Sequence, residues 1–101
     1  MGFADNLRNE LNNTNAEIIA TRFEPNKDKL MGIIAEGIKR IGYVKIDTLC
    51  HTGTREGDML GIKDKEINAF AEFLRKEGFI AQKSWWGYSS DGTPDMLTIR
   101  V

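Results

Sequence analysis

The chain has 101 residues, 41% hydrophobic and 29% charged, with 14 basic against 15 acidic side chains. That size and balance fit one ordinary globular domain and exclude a disordered tail, a fibrous repeat, a disulfide-stapled miniprotein and a strongly basic nucleic-acid or lipid binder. No apolar run approaches the ~18 residues of a membrane span, the opening residues lack a signal-peptide pattern, and the single cysteine, Cys50, has no internal disulfide partner, so a cytoplasmic setting is expected.

Residues 1–24 read as one helix with a weak middle. Phe3, Leu7 and Leu11 fall four apart, and Ile18, Ile19 and Phe23 resume the stripe after a polar gap. Asn6, Asn9, Asn12, Asn13 and Asn15 weaken the centre by competing for backbone hydrogen bonds, so two shorter helices are the alternative. Pro25 ends the segment. A second helix is expected from about Asn26 to Ile41, with Leu30, Ile34, Ile38 and Ile41 on one face and Ile33 beside them. Gly42 is placed to close it in the left-handed conformation. Gly32 and Gly37 inside this helix cost ~1 kcal/mol each against alanine and suggest a close crossing with the first helix.

Tyr43 to His51 reads as a strand, with Val44, Ile46 and Cys50 on one side and Lys45, Asp47 and His51 on the other. Residues 52–62 form a loop punctuated by Gly53, Gly57 and Gly61. A third helix follows from about Asp64, its N-cap, to Glu77, burying Ile67, Phe70, Ala71 and Leu74 and ending at Gly78. Phe79 to Tyr88 reads as a strand, residues 89–93 as a turn, and Met96 to Val101 as the last strand. The fold class is therefore α+β: two N-terminal helices, then a β-α-β-β unit. The helical crossover makes the first two strands parallel, and the hairpin makes the last two antiparallel. Placing the third strand in the middle gives the order 1-3-2, with helices packed on the sheet.

Few residues suggest catalysis. Cys50 and His51 are neighbours on a strand and point to opposite faces, so they do not share a proton, and no second histidine serves as base. Asp47, His51, Glu56 and Asp58 converge on one loop, yet their spacing matches no metal-ligand signature, and solvated loop charges are the expectation. No catalytic residue, metal or cofactor is assigned. A small metal-dependent hydrolase built on Asp47, His51 and Asp58 is the third class.

Two clusters are better candidates for binding. In His51-Thr52-Gly53-Thr54-Arg55 the glycine lets backbone N–H groups converge on an anion, the hydroxyls add donors and Arg55 supplies a fork. The frame is not a P-loop, and a plain flexible connection is the alternative. Trp85, Trp86 and Tyr88 form the second cluster. Phe79, Ala81 and Trp85 share one face of the strand, and Ile80, Trp86 and Tyr88 the other, so a sheet covered on one side leaves one tryptophan exposed. Trp86 is the expected exposed ring, because the Phe79 side continues from the helix stop. Such aromatics anchor partner surfaces or stack on bases. The alternative is that the N-terminal helices cover that face.

The opening Met-Gly-Phe-Ala-Asp-Asn-Leu-Arg-Asn-Glu-Leu resembles the start of small proteins encoded by phages and prophages of Gram-positive bacteria. So does the run from Glu66 to Phe79, followed by a hairpin ending in Leu97-Thr98-Ile99-Arg100-Val101. The resemblance implies a role against host defence, as in anti-CRISPR proteins or proteins that sequester signalling nucleotides, and it carries over no functional residue. The expected function is a non-enzymatic binding protein, a host-defence inhibitor acting by surface occlusion in the host cytoplasm. Its site residues are drawn from His51, Thr54, Arg55, Trp85, Trp86 and Tyr88, and its partner is a host protein. The alternative is a nucleotide sponge, with Arg55 on a phosphate and a tryptophan on the base.

Overall fold

The computed structural model describes residues 2–85 and 94–101. Helix α1 (Phe3–Ile18) runs on through a π-helical turn (Ile19–Phe23) and a 3-10 turn at Glu24–Asn26 into α2 (Lys27–Ile41). The N-terminal segment is thus one helical rod, as the apolar stripe predicts, and Pro25 marks its break. Gly42 closes α2 at φ 89°, its N–H donating to the Ile38 carbonyl. Strand β1 (Val44–Asp47) is followed by a short helix α3 (Arg55–Met59) and a 3-10 turn at Asp64–Glu66. Helix α4 (Ile67–Lys76), β2 (Ile80–Ser84) and β3 (Met96–Arg100) complete the chain.

The sheet is antiparallel in the order β1-β3-β2, as the hairpin and crossover require. Its register aligns Val44, Ile99 and Ala81, then Ile46, Leu97 and Lys83, on one face. The five apolar residues of that set are all buried. Helices α2 and α4 cover this face: Gly37 of α2 meets the Val44 side chain, and Lys83 Nζ donates to Asn68 Oδ1 of α4 at 3.1 Å. The other face carries Lys45, Thr98 and Gln82 in one row and Ile80 beside Arg100 in another.

Helix α4 buries Ile67, Phe70, Ala71 and Leu74, as its periodicity predicts, and also Ala69 and Phe73. The extra burial arises because the N-terminal rod lies along α4 instead of along the far face of the sheet. Phe23, from the π-helical turn, stands 4.9 Å from the Phe70 ring and 5.6 Å from Phe73. Asn15 Nδ2 donates to Glu72 Oε2, and a two-pronged Arg22–Glu66 bond at 2.6 and 3.0 Å ties the rod to the start of α4. Glu66 also accepts the Lys63 N–H at 3.0 Å, so it, and not Asp64 as N-cap, organises the helix start.

Several local expectations are corrected. The first strand stops at Asp47, four residues early, and Cys50, expected on the side of Val44 and Ile46, lies beyond it and is exposed. Asp47 is buried although the strand pattern points it to solvent. The 52–62 loop contains α3. Gly32 faces open space, and Gly37 lets α2 approach β1 and Glu56, so neither serves a crossing with the first helix. Strand β2 ends at Ser84, and Trp85, expected to be the protected ring, is 50% exposed. Lys83 already reaches Asn68, the second residue of α4; two residues on, about 7 Å further, the chain has run past the helix that would cover it. Trp86, Tyr88 and the 89–93 turn lie outside the described residues.

Candidate functional site

The chain between β1 and α4 is held by three polar side chains that each bond inward. Asp47 acts as a hub. Its Oδ1 accepts the N–H groups of Leu49 and Cys50 at 3.1 and 3.0 Å, and its Oδ2 accepts the Thr52 N–H and a short bond from the Thr52 hydroxyl. A buried carboxylate needs such donors, and gathering them turns the chain out of the strand. The turn places His51 in the left-handed region at φ 55°, which histidine visits infrequently.

Thr54 is the N-cap of α3, accepting the Gly57 N–H at 3.2 Å. The same hydroxyl oxygen accepts the Lys45 N–H at 3.0 Å and donates to the Lys45 carbonyl, which also accepts the Thr54 N–H at 2.9 Å. One threonine therefore closes the outer edge of β1. Glu56 is buried, and Arg40 at the end of α2 grips it through two bonds of 2.7 Å. That guanidinium holds the Glu56 carboxyl down at about 2, against an ordinary 4.5, while burial pushes it the other way. A carboxyl depressed by folding stabilises the fold above its unfolded value and loses that contribution as it is protonated. Stability from this pair is expected to be complete above about pH 4.5 and to vanish as the pH falls towards 2. Urea melts at pH 5.5 and pH 3 should show a smaller acid loss for Glu56→Gln than for the natural chain; parallel losses would uncouple the pair from acid stability.

These bonds frame a cleft of about 520 Å³ between the end of β1, α3 and residues 61–64. Ile46 and Ile62 form apolar wall, and Asp47, His51, Asp58, Lys63 and Asp64 bring charge of both signs. Such a lining suits a small polar molecule. Among the described residues, no three His, Cys, Asp or Glu side chains gather closely enough to hold a metal ion. Glu56 turns to Arg40 and away from the group expected with Asp47, His51 and Asp58.

The loop residues singled out in the sequence are dispersed. His51 lines the cleft, Thr54 spends its hydroxyl on β1 and α3, and Arg55 is exposed beside Glu36, Lys39 and Arg40 in a separate depression of about 320 Å³. Arg55 comes within 3.9 Å of Glu56, adding a weak second cation to that carboxylate. Trp85 follows β2, on the opposite edge of the sheet from α3. With β3 between, Arg55 and Trp85 are separated by the sheet's width, ~10 Å at least. The Arg40–Glu56 pair, 16 residues apart, left no local signal in the sequence; the Thr54 cap did, as threonine ahead of Glu56 and Asp58 in a first helical turn.

Among the described residues, no helix is long and apolar enough to cross a membrane. Comparison of the chain with protein-family models, with curated proteins and with solved structures gives no match.

Proposed function

We propose that this chain is a non-enzymatic binding protein of the phage type, which inhibits a host defence protein in the cytoplasm by covering part of its surface. The observation that carries this reading is the exposed apolar surface at both ends of β2, where Ile80 is 58% and Trp85 50% exposed. Large exposed apolar groups such as these are the usual anchors of a protein interface. The polar groups of the β1–α4 connection point the same way, since Asp47, Thr54 and Glu56 spend their oxygens on holding the fold. The resemblance of the opening residues to phage-encoded proteins supplies the host-defence setting.

A second reading, an anionic or nucleotide ligand, is favoured by Lys39 and Arg55 sharing one depression with Glu36 and the Arg40–Glu56 pair. One set of measurements separates the two. Expression in a Gram-positive host with an active defence system should raise phage plating efficiency. Trp85→Ala should abolish the rise by weakening partner binding by ~2 kcal/mol or more, with Tm unchanged. A Tm increase on adding nucleotide, removed by Arg55→Ala, together with unchanged plating would replace the first reading by the second.

A further inference from the structure

The two edges of the sheet are treated differently. Thr54 closes the outer edge of β1, whereas β2 forms the other edge, and the register shows which of its backbone groups face outward. Thr48 N–H donates to the Asp95 carbonyl at 2.9 Å, which fixes Leu97 and Ile99 as the β3 residues turned towards β1. Met96, Thr98 and Arg100 therefore turn towards β2, where their partners are Ser84, Gln82 and Ile80. Ala81 and Lys83 are left aiming N–H and C=O away from the sheet. Arg75 confirms the direction, its Nη2 donating to the Ala81 carbonyl at 2.7 Å from outside the ladder. An open row of this kind is a template for another strand.

This edge is complementary to itself. Laid antiparallel against a second β2 with Gln82 facing Gln82, all five residues overlap. Ala81 of each copy then stands opposite Lys83 of the other, in position to exchange both N–H···O bonds. Of those groups each copy has the Ala81 N–H and both groups of Lys83 left over, and the Ala81 carbonyl is shared with Arg75. The Ala81 carbonyl keeps a second lone pair beside its bond from Arg75. The two glutamine amides meet at the two-fold axis. Charge and overlap favour this register: a shift that centres the pair on Lys83 sets lysine against lysine, and one that centres it on Ala81 overlaps only residues 80–82 of β2. We propose that a second copy of this chain occupies the β2 edge, joining two three-stranded sheets into one six-stranded antiparallel sheet.

Sedimentation equilibrium of the full chain, from micromolar to millimolar, should show a reversible dimer. Gln82 is exposed in the single copy, so Q82K and Q82E should each leave the Tm of the dilute protein unchanged. Each places like charges at the two-fold axis and should raise the dimer dissociation constant at least ~10-fold. An equimolar mixture of the two should recover a heterodimer at least as tight as the natural one. K83P, which removes one outward N–H from an edge strand that tolerates proline there, should also dissociate the dimer. A natural chain that stays monomeric at millimolar concentration, including one that captures only an extended segment of another protein, would overturn the proposal. So would a dimer indifferent to Q82K and K83P.

Discussion

Gly57→Ala is expected to unfold the protein or to leave it with only a small fraction of its stability. A Cβ at this position would fall inside the contact envelope of the Lys45 carbonyl oxygen and close to its carbon. That carbonyl is backbone, already fixed by the Thr54 N–H on one side and by the β1–β3 ladder around it. It has no rotamer to adopt. Relief requires α3 to move off β1, which breaks the bonds among Thr54, Lys45 and Gly57 and drags Glu56 away from Arg40. Overpacking alone costs about 1–3 kcal/mol, and each buried polar group left unpaired adds roughly 1–3 more, against a total of about 5–15 kcal/mol for a domain of this kind. A loss of at least ~4 kcal/mol is therefore expected in denaturant melts. Gly32→Ala is the control: the added Cβ meets nothing within 4 Å, and the helix interior gains up to ~1 kcal/mol. Equal effects at Gly57 and Gly32 would mean that α3 does not lie against β1.

The contrast between those two glycines marks the boundary of what the sequence discloses. Both occur in the same pattern of isolated glycine, and only the approach of a distant carbonyl separates them. Elements carried by periodicity were legible: the rod ending at Pro25, α2 closing at Gly42, and α4 with its apolar stripe. The strand order was legible because one hairpin and one helical crossover leave few arrangements of three strands. The β1–α4 connection was not, because its bonds run between side chains and backbone rather than along a repeat. Asp47 continues the alternation of Val44 and Ile46 perfectly well as a solvent-facing residue. Its burial follows from four donors that arrive only when the chain turns. A carboxylate followed by Thr48, Leu49 and Cys50 does carry a weak turn signal, which alternation outweighed. The aromatic cluster was half legible: strand parity identified the inner face through Ala81, but the point at which α4 ceases to cover it depends on helix length, and Trp85 emerges there. The loop set His51, Thr54 and Arg55 reads as one anion site from proximity in sequence, and α3 distributes it over different surfaces.

Phe70→Ala should be the most damaging large-to-small change in the core. Phe70 is fully buried on α4, and its ring packs at 4.9 Å from Phe23 and 6.1 Å from Phe73. It therefore belongs to the interface between α4 and the N-terminal rod as well as to the stripe that includes Ile67 and Leu74. Truncation removes the transfer free energy of the ring and leaves a cavity walled by two aromatic residues that are themselves held. Phe23 is fixed in a π-helical turn whose neighbour Arg22 is bonded to Glu66, and Phe73 is fixed by α4 itself. Neither wall collapses easily, which places the cost in the upper part of the ~3–5 kcal/mol range for buried phenylalanine. Phe3→Ala, by contrast, acts on a ring that is 77% exposed and should change stability by no more than about 0.5 kcal/mol. Because the rod meets the sheet through α4, Phe70→Ala should also loosen the rod before the sheet. Amide exchange along Ile19–Phe23 is expected to rise more than exchange in Leu97 and Ile99. A loss below about 1 kcal/mol, or a uniform rise in exchange across both regions, would show that the three phenylalanines do not couple the rod to α4.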